Sequence, residues 1–463
     1  MLKRQRSQRA VWLVVALLLM GVAAVAAVLS QASIRVAALS PGRGDDDVTI
    51  TAPIRITFSK EMDRASVEER FSVEPEVPGE FEWEGKTLIF RPYSALSPKT
   101  TYVVTLQAGA TTERGKELRE ETRASFRTRA PQLLYLGWAD ESAEVRQLFA
   151  APLNGGASRQ LTENTTGVWD YAVHPEGAEI VYSVLREDGG SDLWSMDRDG
   201  GGQRMLLPCP EAACLNPVWS PDGTMLTYER REIWADAPNL DAQAGRIWLS
   251  DVEEGEARPL FDYDVALHSP AWSPGGERLA YVSPMLPGIE VLDLVTGELQ
   301  QYGNEWGATP VWSPDGTALI VPELIFEDEL LVVRLVRINL EPGELLDISG
   351  DEGLVKDVGP AWSPGGGWIA FGRQFLGEDS WTLGRQIWLV RPDGSEAYLL
   401  LDEPMGDFYA LTWRADGAAL AYARIDLSEG IQAVPDVSVW VFDLVERTPV
   451  LVAEEGVLPQ WLP

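Results

Sequence analysis

The sequence predicts an all-β protein: a small β-sandwich followed by a β-propeller of seven, alternatively six, blades, behind one N-terminal transmembrane helix. Three observations carry this. A Trp-Ser-Pro-Asp-Gly-like turn recurs through the larger C-terminal part, a different set of short strands fills about a hundred residues before it, and an unbroken apolar run stands near the start. At 463 residues the chain exceeds what one hydrophobic core usually organises, so more than one domain is expected.

Residues 1–9 form a basic tail containing Lys3, Arg4, Arg6 and Arg9 and no acid, and residues 10–29 carry no polar side chain. Twenty apolar residues in a helix, at about 1.5 Å each, span a hydrocarbon core of about 30 Å. The basic flank places the N-terminus in the cytoplasm and the bulk of the chain outside. Ser30-Gln31-Ala32 offers a cleavage site and hence a secreted form as the alternative. Signal-peptide apolar regions are shorter, so a retained single-pass anchor over 10–30 in a bacterial cell membrane is the expectation.

Residues 36–130 follow a period of two. Ile54-Arg55-Ile56-Thr57-Phe58, Phe81-Glu82-Trp83 and the run from Thr101 to Leu106 alternate apolar and polar residues, as half-buried strands of a sandwich do. The segments Phe58 to Asp63, Phe90 to Pro92, Leu96 to Tyr102 and Phe126 to Thr128 resemble bacterial Ig-like domains of the SbsA type. The resemblance implies a spacer.

From 132 to 463 the repeat takes over. Val-Trp-Ser-Pro-Asp-Gly stands at 218–223 and 311–316, Ala-Trp-Ser-Pro-Gly-Gly at 271–276 and 361–366, and weaker copies begin at Val173 and Trp413. The copies lie 40 to 53 residues apart, and each is followed by an apolar, aromatic run such as Leu279-Ala280-Tyr281-Val282. Pro presets the first corner of the turn and Gly takes the positive φ that reverses the chain. Strand-only units at this period pack radially, because no unit buries both faces alone. Pro459-Gln460-Trp461 repeats Pro217-Val218-Trp219 at the far end, so the last strand is expected to complete the first blade. The motif with its Leu-Ala-Tyr strand resembles the WD40-like repeats of the TolB C-terminal propeller. Such repeats occur in binding proteins, in accessory domains of peptidases and in sugar-processing enzymes, so the resemblance speaks for the fold and not for the function.

The formal charge of −33 argues against nucleic acid as a partner of the folded part, since such a surface repels phosphate backbones. The only cysteines, Cys209 and Cys214, are expected to close a local disulfide. Nucleophile-elbow and zinc-protease signatures are absent, no metal or cofactor is implied, and the chain is expected not to be an enzyme. His174 replaces the Ser of the repeated turn and is expected in solvent. Loops entering the repeats carry Trp169, Asp170, Tyr263, Asp264, His268, Trp306, Asp357, Asp407, Phe408 and Tyr409, and a propeller gathers such loops around one mouth of its channel. These ten residues are the expected binding site, an acidic, aromatic rim for a protein or peptide partner. The leading expectation is thus a membrane-tethered extracytoplasmic binding or scaffolding protein. A glycoside hydrolase or lyase using channel carboxylates is the alternative, with carbohydrate as a possible ligand, and a structural envelope role is third.

Overall fold

The computed structural model describes residues 34–463 apart from 140–144, 154, 234–244, 253, 285–287, 328–329, 351–352, 429 and 431–435. The apolar run expected as an anchor, with its cleavage site, lies outside the described residues. Among those described, no helix is long and apolar enough to cross a membrane. The chain forms two compact units, the first within the N-terminal 127 residues and the second mostly from residue 128 onward.

The first unit contains β1 (Val36–Ser40), β2 (Ile54–Phe58), α1 (Arg64–Glu68), β3 (Phe71–Glu74), β4 (Gly79–Glu84), β5 (Thr87–Pro92), β6 (Thr101–Leu106) and β7 (Thr122–Arg127). They make two antiparallel sheets, ordered β1-β2-β5-β4 and β3-β6-β7. The alternation read from sequence is the burial pattern: Ile54, Ile56 and Phe58 of β2 and Tyr102, Val104 and Leu106 of β6 point into the core. Asp63 caps α1 by accepting the Ser66 N–H at 2.9 Å.

The second unit opens with β8 (Gln132–Trp138), β9 (Arg146–Pro152) and β10 (Arg159–Gln160). Six groups of four strands follow, antiparallel within each group, and single parallel bridges, Ser191 to Ala213 and Val333 to Lys356, join the first group to the second and the fourth to the fifth. The groups are β11 (Val168–Val173), β12 (Glu179–Leu185), β13 (Ser191–Asp197) and β14 (Arg204–Leu207); β15 (Ala212–Trp219), β16 (Met225–Glu232), β17 (Gly245–Asp251) and β18 (Ala257–Pro259); and β19 (His268–Trp272), β20 (Arg278–Ser283), β21 (Gly288–Asp293) and β22 (Leu299–Gly303). Then come β23 (Val311–Trp312), β24 (Ala318–Glu327), β25 (Leu330–Asn339) and β26 (Glu344–Asp347); β27 (Val355–Trp362), β28 (Ile369–Phe375), β29 (Gln386–Val390) and β30 (Tyr398–Leu401); and β31 (Gly406–Trp413), β32 (Ala419–Asp426), β33 (Val437–Asp443) and β34 (Thr448–Ala453). The last strand, β35 (Val457–Leu462), pairs with β8, Trp461 opposite Leu133 and Gln460 opposite Leu134, and completes the sheet begun by β8–β10. First strands touch in succession, β11 to β15 to β19 to β23 to β27 to β31 to β35, and β35 touches β11.

The repeated turn is held by its own side chains. Ser220 Oγ donates to Asp222 at 2.6 Å and accepts the Met225 N–H at 2.9 Å, while Asp222 accepts the Thr224 N–H at 3.1 Å. Ser313, Asp315, Thr317 and Ala318 repeat these bonds. The glycines of the two turns stand at φ 74° and 68°, where a side chain is costly. Tryptophans that open the turn reach the neighbouring sheet. Trp312, Trp413 and Trp461 donate their indole N–H groups to the carbonyls of Ala271, Ala361 and Thr412, at 2.9, 3.0 and 3.0 Å. His174 departs from expectation, since its ring packs edge-on against Trp219 at 4.9 Å and accepts the Glu176 N–H. Cys209 and Cys214 form the expected disulfide.

Candidate functional site

The first strands carry a recurring irregularity. In six of the seven, the pairing with the second strand slips three or four residues before the strand's end, at a β-bulge. Asn216, Ser269, Gly359, Ala410 and Leu458 take positive φ there. A bulge turns main-chain N–H groups out of the ladder, and buried donors need acceptors. Side chains of the preceding sheet supply two of them.

Asp170, on β11, accepts the Asn216 N–H of the next sheet at 2.6 Å and the Ser183 hydroxyl of its own. Glu229, on β16, accepts the Ser269 N–H at 2.8 Å and the Arg231 guanidinium at 2.7 Å. His268, beside Ser269, shares a 3.0 Å bond with its hydroxyl. Burial pushes the Asp170 carboxyl up to about 6, against the pull of the Ser183 and Asn216 bonds, with the Glu229 charge adding to the rise. Burial likewise lowers His268. One polar cluster thus runs from Asp170 through Glu229 to His268.

A second group is built on β27–β31. Asp407 accepts from Arg385 through both oxygens at 2.6 Å, and the Arg385 guanidinium lies 5.6 Å from the Tyr409 ring centre. Asp357 accepts from Arg373 at 2.8 and 2.6 Å with both side chains fully enclosed, and Arg373 also donates to the Ser349 carbonyl. Burial pushes Asp357 up against the pull of Arg373.

The structure therefore divides the ten expected rim residues. Tyr263 is 60% exposed, Trp169, Trp306 and Asp264 are exposed, and His268, Asp407 and Tyr409 are half-buried. Asp170, Asp357 and Phe408 are buried, Phe408 packing edge-on against Tyr422 at 5.6 Å, so these three lie beneath a surface and not on it. Phe408 and Asp357 sit inside strands because β31 and β27 begin well before their Trp. Sequence reasoning missed Arg373, Arg385, Ser183 and Glu229. Arg373, Ser183 and Glu229 stand on second strands, which the repeat marks only by apolar residues, and Arg385 stands just before the third strand β29.

Topology adds a pattern. First strands begin, and second strands finish, at the same end of every sheet. Of the seven exposed large aromatic residues among the described residues of the second unit, six lie at that end: Trp138, Trp169, Tyr263, Trp306, Phe326 and Trp381. Trp306 is presented on a turn in which Asn304 donates to Glu323 at 2.6 Å and accepts the Gly307 N–H. The repeated turns at the other end expose none. A cavity of about 310 Å³, lined by Arg424, Asp426, Asp436, Trp440 and Glu454 among others, opens at the aromatic end as well.

Comparison with known proteins identifies a bacterial Ig-like domain over residues 30–128. The uncharacterized peptidase YuxL of Bacillus subtilis is 22% identical over 228 residues, covering 48% of this chain and 32% of YuxL. The Tol-Pal system protein TolB of Alcanivorax borkumensis is 32% identical over 84 residues, covering 17% of this chain and 19% of TolB. The chain thus spans a third or less of the length of these two relatives. Among solved structures, a puromycin hydrolase superposes with a TM-score of 0.52 at 16% identity, over 70% of this chain and 52% of the hydrolase. The fold shared is a TolB-like β-propeller, accompanied here by the Ig-like domain. These relatives overturn the expectation that the chain is not an enzyme, because a protein named as a peptidase shares part of its sequence and a hydrolase shares its fold.

Proposed function

We propose that the second unit is a closed, seven-bladed propeller that docks a polypeptide on the end where its first strands begin. The observation that carries the reading is the segregation of exposed aromatic side chains to that end, six of seven in a unit whose repeats would otherwise place them evenly. Aromatic residues with polar rims are the surface chemistry of protein recognition. The successive contacts of the seven first strands, ending where they began, support the ring. We further propose that the chain works outside the bacterial cytoplasm, tethered through its N-terminal apolar run and spaced from the membrane by the Ig-like domain. The Cys209–Cys214 disulfide supports an oxidising compartment.

Selection of phage-displayed random heptapeptides on the intact chain tests the docking face. The wild type is expected to enrich a sequence class, and a variant with Trp169, Trp306 and Trp381 changed to Ala is expected to enrich none while keeping its thermal transition. Equal enrichment by both would sink the reading.

A second reading has its own observation. A buried carboxyl at about 6 beside a second buried carboxylate is a group able to give and take a proton at neutral pH. On this reading the buried Asp170–Glu229 cluster sets the protonation of the end on which a peptide or glycan chain is docked and hydrolysed or lysed. Turnover of a panel of chromogenic peptides and oligosaccharides, lost in Asp170→Asn, is the expected result. Turnover that survives the substitution would remove Asp170 from the chemistry.

A further inference from the structure

In four sheets the second and third strands share a cross-strand pair of an aromatic residue and a tryptophan, whereas Val321 faces Val336 and Tyr135 faces Phe149 at the same register of two others. Tyr182 faces Trp194, Tyr228 faces Trp248, Phe371 faces Trp388 and Tyr422 faces Trp440. In the sheet β19–β22 the aromatic member, Tyr281, faces Glu290. Directly opposed residues stand on the same sheet face, so a carboxylate occupies the place that an indole takes in four other sheets. Glu290 is only 8% exposed. The Tyr281 hydroxyl is buried and makes no hydrogen bond of good geometry among the described residues, although it lies within hydrogen-bonding reach of the Glu290 carboxylate. Burial first, and the Glu290 charge next, push its pKa up, so the phenol stays neutral.

A stack of two rings meets Tyr281. Phe261 meets Tyr281 edge-on at 6.3 Å and stacks on Tyr263 at 5.2 Å, and Tyr263 carries the stack into solvent. Arg246 fixes the stack by donating to the main-chain carbonyls of Phe261 and Tyr263 at 3.0 and 3.1 Å. Its remaining ionic neighbour is the exposed Asp264, at 3.8 Å. A glutamate is smaller than the tryptophan the repeat places here, and a buried carboxylate is costly unless a cation compensates it.

We propose that this departure from the repeat is a subsite for a primary ammonium group, the lysine side chain of the docked polypeptide. The proposal rests on the reading that this end of the propeller is the docking face. The butyl stem lies along Tyr263 and Phe261, whose ring faces attract a cation, and the ammonium reaches the two Glu290 oxygens and the Tyr281 oxygen. Three acceptors match its three N–H donors.

Fluorescence anisotropy of fluorescein-labelled pentalysine, titrated with the intact chain at low salt, tests the subsite. Fully N-acetylated pentalysine is the neutral control. Glu290→Gln is compared with Glu298→Gln, which removes the same charge from an exposed position at the opposite end of the same sheet. Pentalysine is expected to bind and its acetylated form not to. Glu290→Gln is expected to weaken binding roughly tenfold, and Glu298→Gln less than about twofold. Equal effects of the two substitutions overturn the subsite. If the variant lacking Trp169, Trp306 and Trp381 still loses peptide binding, the docking face survives that outcome. If that variant binds pentalysine as the wild type does, both fall.

Discussion

Single residues in this propeller carry charge into places where charge is expensive. The folded value of Asp170, about 6, lies above its unfolded value of 3.8. A carboxyl raised on folding favours the folded state most at low pH, and that contribution fades as pH climbs from about 4 to about 6. A shift of this size corresponds to something on the order of 3 kcal/mol. Asp170→Asn keeps an acceptor for the Asn216 N–H and a donor for Ser183. It is expected to melt higher than the wild type at pH 8 and about level with it at about pH 3.5, below the unfolded value, as followed by circular dichroism. Identical pH profiles would show that Asp170 ionises freely. The Asp357–Arg373 pair makes the opposite case. Removing one partner of a fully enclosed ion pair strands the other, at a cost of about 3–5 kcal/mol. Denaturant melts of Asp357→Ala should show that loss, and Asp357→Leu combined with Arg373→Met should recover much of it.

At the level of strands and turns, the repeat tryptophans Trp272, Trp312, Trp413 and Trp461 turn out to be clasps between sheets, whereas Trp362 bonds the Gly366 carbonyl of its own turn. Trp312→Phe keeps the ring and deletes the bond to the Ala271 carbonyl, so a loss of about 1 kcal/mol is expected in chemical denaturation. A neutral outcome would mean that ring packing alone explains the repeat. The strands were legible in the sequence for a local reason. A Ser-Pro-Asp-Gly corner satisfies its own hydrogen bonds, and the apolar run after it can only be buried. Site chemistry was legible in part. Tyr263 and Trp306 stand in connections between strands, as their spacing suggested. Asp357 and Phe408 look the same in sequence, yet β27 and β31 extend further back and draw both inside. Arg373 and Glu229 could not be singled out, because their partners come from register across strands and from the neighbouring sheet. Glu290 leaves a faint trace, visible only when third strands are aligned and the missing tryptophan is noticed.

For the molecule as a whole, the decisive bond is between strands from opposite ends of the propeller. Deleting residues 457–463 would strip β8 of its inner neighbour and uncover the side chains of Leu133, Leu134 and Leu136. The truncated chain is expected to lose the cooperative melt of its second unit and to associate on size-exclusion chromatography, because an apolar, unpaired strand edge invites pairing with another chain. A monomeric truncation with an unchanged melt would show that the remaining sheets hold together without closure. The same pairing has a meaning in time. A ribosome adds about 5–20 residues per second, so β8 waits tens of seconds for the strand that completes its sheet. Throughout that interval the nascent protein presents an open apolar edge in whatever compartment receives it. A chaperone able to shield that edge until Trp461 emerges would therefore govern how much of the chain matures, even though it makes no contact with the completed sheet.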